Sequence, residues 1–222
     1  MNEIVLDTET TGLSVKDGHR IVEIGCIELD NLIPTGKKFH CYLNPERKVS
    51  EKALEVHGYT DIFLSNKKKF KEIVDDFLNF IEGKKLIIHN AEFDISHLNN
   101  ELKIIGKETI KNQVVDTLIL ARDKFPGSQI SLDALCRKFR IDNSKRTQHT
   151  ALIDCDLLSK VYINLLDQKE PKLNFQTQDN KGSHINLNRN KTYHKEIISP
   201  TEEELNLHKE YLKNKLKKNF FS

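Results

Sequence analysis

The chain is 222 residues long, enough for one sizeable domain and a remainder. Hydrophobic residues make up 37% and charged residues 31%, and 35 Lys+Arg against 33 Asp+Glu leave a net charge of +2. The composition excludes a chain disordered throughout, and the charge excludes a polybasic nucleic-acid coat or an acidic tail protein, so any nucleic acid must be gripped by a local patch or by metal ions.

The first element is Ile4-Val5-Leu6, a fully apolar run of the kind expected in a central strand buried on both faces. Residues 21–29 and 38–43 read as two further strands, and the short links between them favour an antiparallel meander. Residues 50–57 form a short helix ending at Gly58, and the stripe Phe70, Ile73, Val74, Phe77, Leu78, Ile81 predicts a second. Leu86-Ile87-Ile88 is a buried strand, followed by a helix over 91–105 that stops at Gly106. Val114-Val115 is a brief strand before a helix capped by Asp116, and helices over 132–139 and 151–166 complete the set. The expected fold is α/β: a mixed five-stranded sheet with flanking helices, its later strands joined by parallel, right-handed crossovers.

The pattern stops near residue 166. Residues 1–166 are expected to form the folded domain. Residues 167–200 hold only scattered apolar residues among Asn and Lys, and read as a flexible linker that buries too little to offset its ordering entropy. Residues 201–222 read as a C-terminal helix, with Thr201 as cap, Glu202, Glu203 and Glu204 in the first turn and lysines from Lys213 to Lys218 near the end. Residues 167–222 carry 11 Lys+Arg against 8 Asp+Glu, leaving 24 against 25 in residues 1–166.

Three clusters of polar residues fall at strand ends and helix starts. Asp7 and Glu9 lie two apart in Asp-Thr-Glu-Thr-Thr-Gly, so the period of a strand puts both carboxylates on one face. Such a pair repels unless a divalent cation, which prefers carboxylate oxygens, lies between them; the alternative is a strand that ends in solvent. Asp94, in His-Asn-Ala-Glu-Phe-Asp, sits in the first turn of a helix, where an acid is favoured by the dipole whether or not it has a further role. In His-Thr-Ala-Leu-Ile-Asp, five helical residues turn the chain so that His149 and Asp154 cannot point the same way. Asp154 then faces inward while His149 lies in the preceding loop, free to swing, either as a proton acceptor or as a surface cap. Glu23, Glu28 and Glu92 read as solvated acids, Asp133 as a residue near a helix start, and His97 as a helix-face residue with no evident partner.

Asp7, Glu9, Asp94, His149 and Asp154, carried in this order by these three motifs, resemble the DEDDh 3′→5′ exonucleases, over about residues 1–166. The sister branch has Tyr four residues before the last Asp; here that position is Thr150 and the His lies five before. The resemblance implies an RNase H-like fold and two Mg²⁺ or Mn²⁺ ions held by Asp7, Glu9, Asp94 and Asp154. It also implies that His149 takes the proton from the attacking water, and that nucleoside 5′-monophosphates leave the 3′ end. By the same analogy Thr10, Thr11 and Gly12 let the backbone approach the terminal nucleotide, and His57 touches its sugar or phosphate. Substrate binding is thus expected at Asp7, Glu9, Thr10, His57 and Asp154. The acidic contact that some members carry five residues before this His is Lys52 here and is not carried over.

The tail resembles that of proofreading members, in which it tethers the exonuclease to a polymerase catalytic subunit. Leu173 and Phe175, within residues 168–175, form a candidate sliding-clamp contact, or a chance pair of linker hydrophobes. DNA 3′ ends are the expected substrate, with a stand-alone RNA or DNA 3′ exonuclease and a non-catalytic replisome adaptor as the other readings. No apolar run of about 18 residues exists, and Met-Asn-Glu before a short apolar run does not read as a secretory signal. Cys26, Cys41, Cys136 and Cys155 form no CxxC pair and read as free thiols of a reducing compartment, so a cytoplasmic location is expected.

Overall fold

The computed structural model describes residues 2–144, 146, 148–166 and 200–215. Five strands, β1 (Asn2–Thr10), β2 (Ile21–Asp30), β3 (Ile33–Tyr42), β4 (Lys85–Ile88) and β5 (Val114–Asp116), form one sheet in the order β3-β2-β1-β4-β5. The β1–β2 and β2–β3 pairs are antiparallel, while β1–β4 and β4–β5 are parallel. This is the expected mixed topology. β1 lies at its centre because the apolar run Ile4-Val5-Leu6 is buried on both sides.

Helices cover both faces. Ile4, Leu6, Ile24 and Ile88 pack with Phe70, Ile73, Val74, Phe77 and Ile81 of α3 (Phe70–Ile81) and with Leu98 and Leu102 of α4 (Ala91–Ile104). Val5, Ile27 and Ile87 point the other way. They pack with Ala121 of α5 (Thr117–Lys124), Leu135 of α6 (Leu132–Phe139) and Leu158 and Val161 of α7 (Ala151–Leu165). At roughly 1.5–3 kcal/mol for each fully buried large aliphatic side chain, this two-sided core is the main favourable term.

Two details depart from the sequence reading. β3 begins at Ile33 rather than Lys38: Pro34 and Gly36, read as linker residues, lie within an edge strand, where a missing N–H costs no ladder bond. The tight turn is instead Asn31-Leu32, both at positive φ (49° and 67°), the backbone that two-residue hairpins require. After α1 (Glu51–His57), a five-residue helix α2 (Asp61–Ser65) escaped notice; Thr60 caps it by accepting from Phe63 N–H, but it is too short to show a period.

The C-terminal helix α8 (Glu202–Lys215) starts as expected. Thr201 N–H donates to the Glu204 carboxylate at 2.9 Å, and Glu204 N–H donates to Thr201 Oγ1 at 3.3 Å, a reciprocal capping box. Leu205, Leu207 and Tyr211 on it are exposed. The linker reading over 167–199, the clamp-contact pair Leu173 and Phe175, and residues 216–222 of the expected helix lie outside the described residues. The four cysteines are free thiols, three of them buried. Among the described residues no helix is long and apolar enough to cross a membrane.

Candidate active site

The site is built from β1 outward. Because Ile4 and Leu6 face α3 and α4 while Val5 faces α7, alternation places Asp7 and Glu9 on the α7 side. β1 runs on through both acids to Thr10, so they lie within paired strand rather than beyond it. Opposite Asp7 in the ladder stands Gly25, and a Cβ there would lie 2.6 Å from the Ala151 carbonyl carbon. Only glycine lets the start of α7 approach this closely, and the Cys155 thiol donates to Gly25 O at 3.2 Å to hold the contact.

Opposite Glu9 stands Glu23, which is not the solvated acid expected but wholly buried. Its carboxylate accepts from Ala151 N–H (2.9 Å) and the Tyr59 hydroxyl (2.8 Å), and meets Nε2 of His40 at 2.7 Å. It thereby ties the first residue of α7 to the sheet. Glu28 is also buried, accepting from Lys84 and Thr35, and these contacts, Lys84 foremost, hold its carboxyl down to about 2. Glu92 is exposed, as expected. A polar residue in a strand reads as solvated unless its cross-strand donors are known, and those of Glu23 lie 17 to 128 residues away.

Asp94 reaches the sheet end from α4. Asn90 precedes this helix in the left-handed region (φ 69°) without a capping side-chain bond. The N-terminus is satisfied from outside: Asp116 accepts from Asn90 N–H (3.1 Å) and Ala91 N–H (3.0 Å) while also capping its own helix through Leu118 N–H (2.8 Å). Asp94 accepts from both the backbone N–H (2.9 Å) and the hydroxyl (2.7 Å) of Thr8, which fixes it beside Asp7 and Glu9.

His149 lies in the loop before α7, its N–H donating to Val56 O at 3.2 Å, and Asp154 is buried on the inward face of the helix. One ligand atom each of Glu9, His149 and Asp154 falls within 4.8 Å of the others. The sequence reading did not single out Arg146. Its guanidinium closes a fork on Asp154 (2.5 and 2.8 Å), donates to Nδ1 of His149 (2.8 Å), and is held from behind by Asp133 (2.7 Å). The Lys-Arg pair just before the His of an acidic set was the signal available for it.

The carboxylates feel one another. Desolvation first, then Asp94 and Glu9, push the Asp7 carboxyl well above its ordinary value. Desolvation followed by Asp154, Glu23 and Asp94 lifts Glu9 to about 8, and desolvation lifts Asp94 to about 7 against the Thr8 hydrogen bonds. Asp154 goes the other way: burial opposes its charge, but His149 and Arg146 beside it hold it below the usual carboxylate range. Four oxygen-donor side chains, three of them disfavoured as anions without a counter-charge, fit hard divalent cations.

Beside these acids lies a cleft of about 590 Å³ lined by Glu9, Thr10, Leu13, Lys52, Val56, His57 and Phe93, among others. Leu13 is exposed at its rim. Thr10 spends its hydroxyl on Gly12 O (2.7 Å). His57 uses both ring nitrogens on backbone, Nε2 with Thr10 O (3.2 Å) and Nδ1 with Tyr59 N–H (3.0 Å), so it walls the cleft rather than offering a free donor. His97 is buried, with Nδ1 near Phe93 O and no partner for Nε2 among the described residues.

A family model described as an exonuclease matches residues 4–162. The chain is 47% identical over 226 residues to the DNA polymerase III subunit epsilon of Rickettsia felis, covering 98% of each protein. The chain belongs to the epsilon-subunit exonuclease family. The epsilon subunit of Salmonella typhimurium is also 47% identical, but over 169 residues that cover 72% of this chain and 70% of that one. Among solved structures, the nuclease domain of 3′hExo, a DEDDh family member bound to rAMP, superposes with a TM-score of 0.64 at 18% identity, over 76% of this chain and 92% of its own. Exonuclease X in complex with 5′ overhanging duplex DNA gives 0.60 at 22% identity, over 75% and 92%. These two share the fold of this chain. The RNase H-like expectation is met.

Proposed function

We infer that this chain removes nucleotides from the 3′ ends of DNA as the proofreading epsilon subunit of DNA polymerase III, releasing nucleoside 5′-monophosphates with two Mg²⁺ or Mn²⁺ ions. The observation that carries the reading is the meeting of Asp7, Glu9, Asp94 and Asp154, from β1, α4 and α7, with His149 in the loop at their edge.

Asp7, Glu9, Asp94 and Asp154 would hold the ions. When bound, the ions supply a lowered water pKa and compensate charge at the scissile phosphate. His149 would accept a proton at the same edge, and its position in the loop before α7 supports this by leaving the ring outside the helix. The apolar side chains of Leu13, Val56 and Phe93 give the terminal base a surface to stack against, and Thr10 and the Gly12 backbone border its sugar and phosphate. Gripping the substrate through cations and stacking agrees with a catalytic region that carries no net basic charge.

The tail serves as a tether to the polymerase catalytic subunit. A tether keeps the exonuclease at high effective concentration near the primer end, and the exposed Leu205, Leu207 and Tyr211 of α8 are apolar contacts a partner can cover. Full-length protein is expected to co-purify with the polymerase catalytic subunit, and protein lacking residues 167–222 to lose that association while still degrading DNA. Absence of association by the full-length protein contradicts the proofreading role. Hydrolysis of mispaired DNA 3′ ends faster than RNA 3′ ends is expected of a proofreader, and the reverse order favours a stand-alone ribonuclease.

A further inference from the structure

The guanidinium of Arg146 stands where a metal-dependent site needs a cation. Its side chain is only 7% exposed. Nε and one terminal nitrogen engage both oxygens of Asp154, at 2.5 and 2.8 Å, the paired geometry that makes Arg–carboxylate contacts strong. The terminal nitrogen on Asp154 also lies 2.8 Å from Nδ1 of His149. An arginine can only donate, so Nδ1, which also lies 3.4 Å from an Asp154 oxygen, accepts from the nearer guanidinium; a neutral ring then carries its hydrogen on Nε2, with its one lone pair already engaged. A divalent cation on Asp154 requires the same carboxylate oxygens.

Resting on the metal-dependent reading above, we propose that Arg146 is a latch that holds Asp154 and His149 in a resting arrangement, and that a divalent cation displaces it to load the site. Asp133 gives the latch its pivot. It stands on α6, holds Arg146 at 2.7 Å, and is itself steadied by the Asn143 amide at 3.0 Å, so the guanidinium keeps one partner after leaving Asp154. A cleft bordered by Asn143, Arg146, Ile153, Asp156 and Lys160 leaves the side chain room to move. The exchange is one cation for another at Asp154, and it returns the Nδ1 lone pair to His149. Lysine, a single-point charge, cannot close the same fork.

The test measures Mn²⁺ binding to the full chain without substrate, by electron paramagnetic resonance of the free ion. Arg146→Gln is expected to bind Mn²⁺ about tenfold more tightly than wild type, the effect of removing one charge-assisted competitor, with Arg146→Lys between the two. Nitrogen-15 spectra of the metal-free wild type are expected to place the His149 hydrogen on Nε2, a bias that Arg146→Gln loses. Equal or weaker Mn²⁺ binding by Arg146→Gln and Arg146→Lys overturns the latch, showing that Arg146 orders Asp154 for the metal instead. A wild-type His149 with its hydrogen on Nδ1 also overturns it. If neither wild type nor variants bind Mn²⁺, the metal-dependent reading falls and the latch with it.

Discussion

Substitution of Asp7 by Ala is expected to lower the hydrolysis rate at least about a thousandfold, roughly 4 kcal/mol of barrier, while leaving the fold intact. Asp7 lies within the β1–β2 ladder and shares its surroundings with Glu9, Asp94 and Asp154, so its removal takes away a carboxylate proposed to hold metal from the centre of the set. The same substitution should raise the melting temperature of metal-free protein. Asp7, Glu9 and Asp94 all have carboxyls raised by folding, Glu9 from 4.5 to about 8 and Asp94 from 3.8 to about 7. Across that window the folded chain keeps protons that the unfolded chain has released, so stability present at low pH is lost as pH rises through the folded values. Metal-free wild type should therefore melt lower at pH 8 than at pH 5, Asp7→Ala should narrow that gap, and Mn²⁺ should stabilise wild type more at pH 8 than at pH 5. Melting curves at the two pH values, with and without Mn²⁺, check all three. A gap that Asp7→Ala leaves unchanged contradicts the shared-charge description.

His149→Ala is expected to lose about a hundredfold to ten-thousandfold in rate, the range of a positioned general base, while Mn²⁺ affinity stays within a few-fold of wild type. The contrast matters because His149, Glu9 and Asp154 are close enough together to form a ligand set of their own. If His149 is a ligand, affinity and rate fall together; if it is the proton acceptor, the rate falls alone. Single-turnover rates measured at saturating Mn²⁺, beside a binding isotherm, separate the two.

Much of this arrangement could be read from residue spacing, because it rests on local periods. The two-residue step from Asp7 to Glu9 fixed their common face, and the same alternation in Ile4-Val5-Leu6 says which helices each face meets. The five-residue step from His149 to Asp154 separated a loop residue from a helix residue, as found. The stripe of α3 needed nothing beyond its period.

What escaped the sequence depends on distant partners. Glu23 is an acid in an apolar strand, and nothing nearby reveals that Tyr59 and Ala151 donate to it. Arg146 sits eight residues before Asp154 but in the loop that precedes α7, where no helical or strand period applies. Asp116 reads from the sequence as the cap of its own helix, but its service to Asn90 and Ala91 depends on β4 and β5 lying side by side. At β3, Pro34 and Gly36 read as turn residues because an edge position, which tolerates both, is a property of the sheet and not of the segment.

The carboxylate set is expected to hydrolyse DNA from its 3′ end with divalent metal. Purified full-length protein, given a primer carrying a 3′ mismatch and separate labels at its two ends, tests it most directly. Nucleoside 5′-monophosphates are expected to leave the 3′ end in Mg²⁺ or Mn²⁺, and none after chelation. Degradation that persists in chelator, or that begins at the 5′ end, would contradict it.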